Sequence, residues 1–324
     1  MAAPRVALPQ FIERRPWLGG DLQTVRNSIR GVPPLVAAET AMLELALGDG
    51  SGDRLAAVVD RPARPLRPPV VLVHGLTGCA ASRYVLASAG HFLALGHPVV
   101  RLNLRGAGPS RALARGHYHA GRSADLRAAL AALPRELVRD GAFLVGYSLG
   151  ANVVLKLLGE GDAPGVLAAV AVSAPIDLAA ASRRLRMARN AGYHRYLLAR
   201  MKAEMLAGPL DARTQAMVRA VADVYAFDDR VVAPAAGFTG ADDYYARCSA
   251  AGYLGAIAVP TLVIHATNDP WIPADAYWAY PWADNPWLLP ALLPGGGHVG
   301  FHGRGSAVPW HDRAAAAFFG AISR

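Results

Sequence analysis

The chain has 324 residues, of which 53% are hydrophobic and 18% charged. That balance supplies ample apolar surface for a core and excludes disordered and fibrous architectures. The formal net charge is +9, yet every basic residue except Lys156 and Lys202 is arginine and alanine is abundant, a pairing that reads as coding bias. No lysine/arginine tract, RNP-like aromatic motif or helix-turn-helix spacing accompanies the charge, so no nucleic-acid partner is expected. No run reaches the ~18 uninterrupted apolar residues of a membrane span, and the first ten residues lack the apolar segment of a secretory signal. Cys79 and Cys248 lie far apart without CxxC spacing, which fits a reducing compartment and argues against a disulfide scaffold or a zinc site. A cytoplasmic protein without metal or cofactor is expected.

In chain order, residues 1–38 carry Pro4, Pro9, Pro16, Pro33 and Pro34 with little periodicity, and read as an irregular arm packed on a core. Residues 42–47 and 54–59 flank a Gly/Asp turn and form a hairpin. From Pro69 the pattern becomes fully apolar strands alternating with amphipathic helices, as a parallel sheet covered on both faces requires. Strands are expected at 70–73, 98–104, 142–146, 167–173, 260–265 and 286–293, and helices at 84–94, 123–133, 149–159 and 308–322. Between Asp177 and Val259 the rhythm breaks. Helical periodicity over 183–205 and 212–227 indicates an inserted helical lid. The division is then an arm at 1–38, a core at 39–177 and 260–324, and a lid at 178–259.

Gly146-Tyr-Ser-Leu-Gly150 is a G-x-S-x-G that follows an apolar strand and opens a helix. A serine on so sharp a turn needs small neighbours, and it presents its hydroxyl at the carboxyl end of the sheet, near a helix N-terminus that favours negative charge. Ser148 is therefore the candidate nucleophile. A serine nucleophile needs a base and a donor pair for the oxyanion. His74-Gly-Leu-Thr-Gly78 closes an earlier strand, which makes the Leu76 N–H one candidate donor and the Leu149 N–H the other. An acid and a histidine should follow in that order. Asp269, just beyond the strand at 260–265, and His298, inside Gly295-Gly-Gly-His-Val-Gly300, meet that requirement. Asp177 competes for the acid but precedes a helical run and reads as its N-cap. His302 and His311 lack the glycine-rich context, and His74 precedes the serine. Asn103-Leu-Arg-Gly-Ala-Gly108 has no G-K-[ST] and reads as a tight turn instead of a phosphate loop.

Together H-G-L-x-G, N-x-R-G-x-G, G-Y-S-L-G-A-N, the late aspartate and the late G-G-H resemble the α/β-hydrolase superfamily. Trp17-Leu-Gly-Gly-Asp-Leu-Gln-Thr24, Tyr118-His-Ala-Gly121, Asp242-Asp-Tyr-Tyr245 and Gly296-Gly-His-Val-Gly-Phe301 resemble more narrowly its YheT-like branch of predicted esterases. Asp21 departs from that branch, which usually carries histidine before Leu-Gln-Thr. The resemblance implies an α/β-hydrolase fold with a mostly parallel eight-stranded sheet, and a serine esterase acting on short- to medium-chain acyl esters or acylglycerols. An acyltransferase or thioesterase would keep the same residues, and a catalytically silent small-molecule-binding protein is the alternative of another class. Arginines 183, 184, 186, 189, 195 and 200 alternate with apolar residues in the lid. Weak contact with an anionic membrane surface is one reading of them. A solvated outer face on a core-packing helix is the simpler one. Trp271, Tyr277, Trp278, Tyr280, Trp282 and Trp287 cluster near Asp269 and either line the pocket or cover the sheet's end.

Overall fold

The structure is a computed structural model that describes residues 3–4, 6–161 and 163–322. The outermost positions expected for the arm and the core, 1–2 and 323–324, lie outside the described residues.

Eight strands form one sheet: β1 (Glu39–Ala46), β2 (Arg54–Arg61), β3 (Val70–Val73), β4 (Val99–Leu102), β5 (Ala142–Tyr147), β6 (Val166–Val172), β7 (Thr261–Ala266) and β8 (Leu288–Leu293). Their order is β1-β2-β4-β3-β5-β6-β7-β8. β2 runs antiparallel to both neighbours, and from β4 to β8 every pairing is parallel. All positions of β3, β4, β5 and β7 are buried, because helices cover both faces and neither side chain of the two-residue repeat meets water. Val71, Val73 and Leu144 enter one apolar cluster, and Val70, Leu72, Phe143 and Val145 enter the opposite one. The helix Leu149–Gly159 crosses the first face with ten of its eleven residues buried, and Trp310–Ile322 packs on the second.

The Asn103–Gly108 turn is a structural corner. Asn103 accepts from Ala80 N and donates to Ala56 O, while the Arg105 guanidinium meets Asp49, Asp53 and Asp125 at 2.6, 2.8 and 2.7 Å. These contacts tie the β1–β2 turn to the loop after β4 and to the helix Ser123–Ala131.

Three expectations need correction. The arm is not irregular throughout, since Gly19–Ile29 is a helix whose buried residues are the polar Gln23 and Thr24, which left no apolar periodicity to read. The helical stretch expected over 183–205 is two helices, Leu178–Leu185 and Ala191–Leu206. The chain turns between them around Asn190, whose buried amide donates to Arg184 O and Pro270 O. Likewise 212–227 divides into Ala212–Ala220 and Val224–Phe227, the second capped by Asp223. With Ala241–Cys248, these helices fill the crossover between β6 and β7. They carry an apolar cluster of their own around Leu197, Met201, Val218 and Phe227. Among the described residues no helix is long and apolar enough to cross a membrane.

Candidate active site

Ser148 follows β5 directly, with φ at +51° and ψ at −122°. A non-glycine residue in that region is strained, and the surrounding glycines explain how the turn is tolerated. A Cβ on Gly150 would fall 2.3 Å from His74 O, and one on Gly146 would fall 2.6 Å from Ala151 Cα. The Ser148 N–H donates to Val172 O on β6, which fixes the turn against the neighbouring strand.

Two later loops reach this serine. His298 Nε2 lies 2.9 Å from Ser148 Oγ, and His298 Nδ1 lies 2.8 Å from Asp269 Oδ2. An ionised carboxylate only accepts, so Nδ1 carries the hydrogen and Nε2 is left to accept from the serine hydroxyl. The other Asp269 oxygen accepts from the amides of Trp271 and Ile272 at 2.8 and 3.0 Å. Burial works to raise the Asp269 pKa, but the His298 ring, by charge and hydrogen bond, holds the carboxyl below its ordinary value. The Trp271 ring lies over His298 at a centroid distance of 4.3 Å.

The loop carrying His298 is clamped by the arm helix. Thr24 Oγ1 accepts from His298 N at 2.8 Å, Asn27 Nδ2 donates to Val299 O, and Gln23 exchanges hydrogen bonds with the His302 backbone. Sequence reasoning missed these positioning residues, although they lie in or beside the Trp17–Thr24 segment that carries the resemblance. Asp21 faces the crossover helices instead, accepting from Arg189 at 2.9 Å and from the Tyr193 hydroxyl at 3.0 Å.

Leu76 and Leu149 line the same cavity as Ser148. Gly75 N donates to the Tyr84 hydroxyl and Thr77 N to the Tyr118 hydroxyl, while Leu76 N between them has no acceptor among the described residues. Leu149 is the first residue of its helix, so its N–H has no partner within the helix. His74 is buried and turns inward, pairing with Gly75 O and Leu104 N, and burial lowers its pKa to about 4. Asp177 caps the helix Leu178–Leu185 by accepting from Ala180 N, and the His302 and His311 rings are buried without hydrogen-bond partners. Among the described residues none of these four side chains hydrogen-bonds to Ser148.

Two cavities meet at Ser148. One is a chamber of about 110 Å³ between the sheet and the crossover helices, lined mainly by apolar residues including Leu149, Leu178, Leu185, Met201 and Phe227. The other is a groove of about 470 Å³ that holds His298 together with Thr24, Asn27, Arg83 and Arg200. Leu76, Leu197 and Trp271 belong to both. Of the six aromatic residues near Asp269, Trp271 lines both of these cavities and the other five line neither; Tyr277 stacks on His265 in the core, and Trp278 is exposed. Among the described residues no group of three His, Cys, Asp or Glu side chains is arranged to hold a metal ion.

A serine in left-handed backbone where a central parallel strand turns into a helix is the mark of the α/β hydrolases. The chain belongs to that family, its residues 68–304 matching the alpha/beta hydrolase fold. It is 35% identical over 266 residues to the Escherichia coli (strain K12) protein named "Putative esterase YheT", a match covering 80% of this chain and 78% of that one. A Saccharomyces cerevisiae protein named monoacylglycerol lipase is 24% identical over 261 residues, covering 76% of this chain but only 57% of its own length. Among solved structures, the Pyrococcus furiosus esterase Pf2001 superposes with a TM-score of 0.58 at 17% identity, over 89% of this chain and 98% of that one. That likeness is one of fold.

Proposed function

We propose that the protein is a serine hydrolase that cleaves carboxylic esters of apolar acyl groups through a Ser148-His298-Asp269 triad. The observation that carries this reading is the unbroken hydrogen-bond line from Ser148 Oγ through both ring nitrogens of His298 to Asp269. His298 Nε2 takes the hydroxyl proton as Ser148 Oγ attacks the ester carbonyl, and Asp269 stabilises the imidazolium that forms. The amides of Leu76 and Leu149 donate to the oxyanion of the tetrahedral intermediate. Collapse expels the alcohol, which takes its proton from His298. Water, activated by the same ring, then releases the acid.

The cavities suggest how the substrate divides. The acyl chain occupies the apolar chamber next to Leu149, and the alcohol leaves through the groove that holds His298. The names of the relatives, an esterase and a monoacylglycerol lipase, agree with short- to medium-chain esters or acylglycerols as the substrate class. The crossover helices over the chamber then act as a lid. Three of its arginines engage the protein itself: Arg189 pairs with Asp21, Arg186 lies over the Tyr225 ring, and Arg200 donates to Thr77. That favours a structural role for them over a membrane-binding one. Two free cysteines, Cys79 and Cys248, agree with a cytoplasmic setting.

The test is covalent labelling by a fluorophosphonate together with hydrolysis of a p-nitrophenyl ester. Both should be present in the wild type and absent in a folded Ser148→Ala variant. Labelling that survives the substitution rules out Ser148 as the nucleophile.

A further inference from the structure

Thr77 has φ at +55°, a left-handed conformation that a β-branched residue adopts only under constraint. It is restrained at three atoms. Its N–H donates to the Tyr118 hydroxyl at 2.7 Å, its Oγ1 accepts from Arg200 Nε at 3.1 Å, and its carbonyl accepts from Arg200 Nη2 at 2.8 Å. The Tyr118 hydroxyl in turn donates to Glu204 Oε2 at 2.8 Å. Arg200 and Glu204 are four residues apart on the helix Ala191–Leu206, so they project from one face of it. Leu197 and Met201, which line the acyl chamber, belong to the same helix.

We infer that Arg200 and Glu204 are positioning residues that couple the crossover helix to the oxyanion donor Leu76, holding Thr77 in its strained conformation so that the Leu76 N–H points at the reacting carbonyl. This rests on the serine-hydrolase reading above. Leu76 lies between two tethered amides. On one side Gly75 N is held by Tyr84, from the sheet-packed helix Arg83–Ala94, and that anchor is independent of the crossover. On the other side the Thr77 Oγ1 and carbonyl are anchored by Arg200 of the crossover, while its N–H is anchored by Tyr118, a buried core residue whose hydroxyl is oriented by Glu204 of the crossover. When the helix moves aside to admit substrate, Thr77 loses both Arg200 contacts and the Tyr118 hydroxyl loses the acceptor that orients it, so Thr77 relaxes and the donor turns away. The oxyanion hole is complete only when the helix is seated over the chamber.

An oxyanion contact acts in the transition state, so its misalignment lowers kcat and leaves KM nearly unchanged. Arg200→Met should reduce kcat for a short p-nitrophenyl ester by about 10- to 100-fold. A structural role alone would not change the preference for an ester over its thionoester, in which a poorly accepting sulfur replaces the carbonyl oxygen. That preference should be large in the wild type and fall towards unity in Arg200→Met. Arg200→Lys, which can reach one acceptor but not both, should recover part of the rate. Tyr118→Phe tests the second tether by the same ratio and keeps the experiment decisive if Arg200→Met does not fold. Wild-type kcat and ratio in these variants would overturn the inference, as would a raised KM with unchanged kcat, or a lower kcat with an unaltered ratio. A wild type that neither hydrolyses ester nor labels with fluorophosphonate removes the hydrolase reading instead; an active, labelled wild type with unaffected variants removes only this coupling.

Discussion

Any residue other than glycine at position 75 would place a Cβ 2.9 Å from Ser148 Cβ and 3.1 Å from Tyr147 O. Both neighbours sit in the strained turn, where neither can retreat without moving the proposed nucleophile. Gly75→Ala should therefore lower kcat by about 10²-fold, the order expected for an ångström-scale misplacement. Its effect on stability should stay within the ~1–3 kcal/mol of an overpacked core site. Steady-state kinetics beside a urea titration checks both, and a wild-type rate would mean that the two turns have slack the geometry does not show. Glycine at 75 and at 150 is thus a requirement of two turns packed against each other, which explains why H-G-L and G-Y-S-L-G could be read from the chain as one unit of chemistry. Thr24 and Arg200 offered no such signal. Their roles consist of hydrogen bonds across 274 and 123 residues of sequence, and threonine or arginine is ordinary in either local setting.

Among the elements, the arm helix Gly19–Ile29 shows why polar contacts escape a hydrophobic pattern. Its anchor to the loop of His298 is a row of hydrogen bonds from Gln23, Thr24 and Asn27, so periodicity had nothing to register. Thr24 Oγ1 accepts from His298 N and donates to Gly20 O, which makes it a bridge between helix and loop. Thr24→Val keeps the shape and leaves the buried His298 amide without an acceptor, at a cost of about 1–3 kcal/mol. The expected outcome is a lower kcat with little change in KM, together with faster hydrogen exchange in the loop at 295–300. Unchanged exchange there would mean that the helix only covers the loop. The sheet, by contrast, was legible almost strand by strand, because burial on both faces writes a continuous apolar run into the sequence. The crossover helices were legible as helical but not in their breaks, since Asn190 and Asp223 interrupt the chain through side-chain hydrogen bonds to carbonyls and amides.

At the scale of the whole molecule, the buried histidines set the response to acid. Burial lowers the pKa of His74, His91, His117 and His265 to about 4 and of His119 and His311 to about 3, from an ordinary 6.5. The unfolded chain binds protons at these rings once the pH drops below 6.5, while the folded chain does not, so stability falls as the pH falls from 6.5 towards 4. Asp228 and Asp312 act in the opposite sense. Burial raises both to about 7 from 3.8, so the folded state already holds their protons near neutrality and gains stability as the pH drops from 7 towards 4. Six rings outweigh two carboxyls. The urea midpoint should be lower at pH 5 than at pH 7.5, and an equal or higher midpoint at pH 5 would show that these rings reach solvent in the folded state.

Thr24, Leu76, Ser148, Asp269 and His298 converge on one small volume although they are strewn from one end of the sequence to the other. During synthesis the sheet can begin to assemble as soon as β3, β4 and β5 have emerged, yet on the proposed triad Ser148 has no base until the segment bearing His298 leaves the ribosome. A nascent chain that lacks this loop would then be chemically silent. On the proposed triad it acquires the power to attack an ester only when the loop of His298 docks onto the helix Gly19–Ile29, so activity reports on the joining of two distant segments as well as on folding.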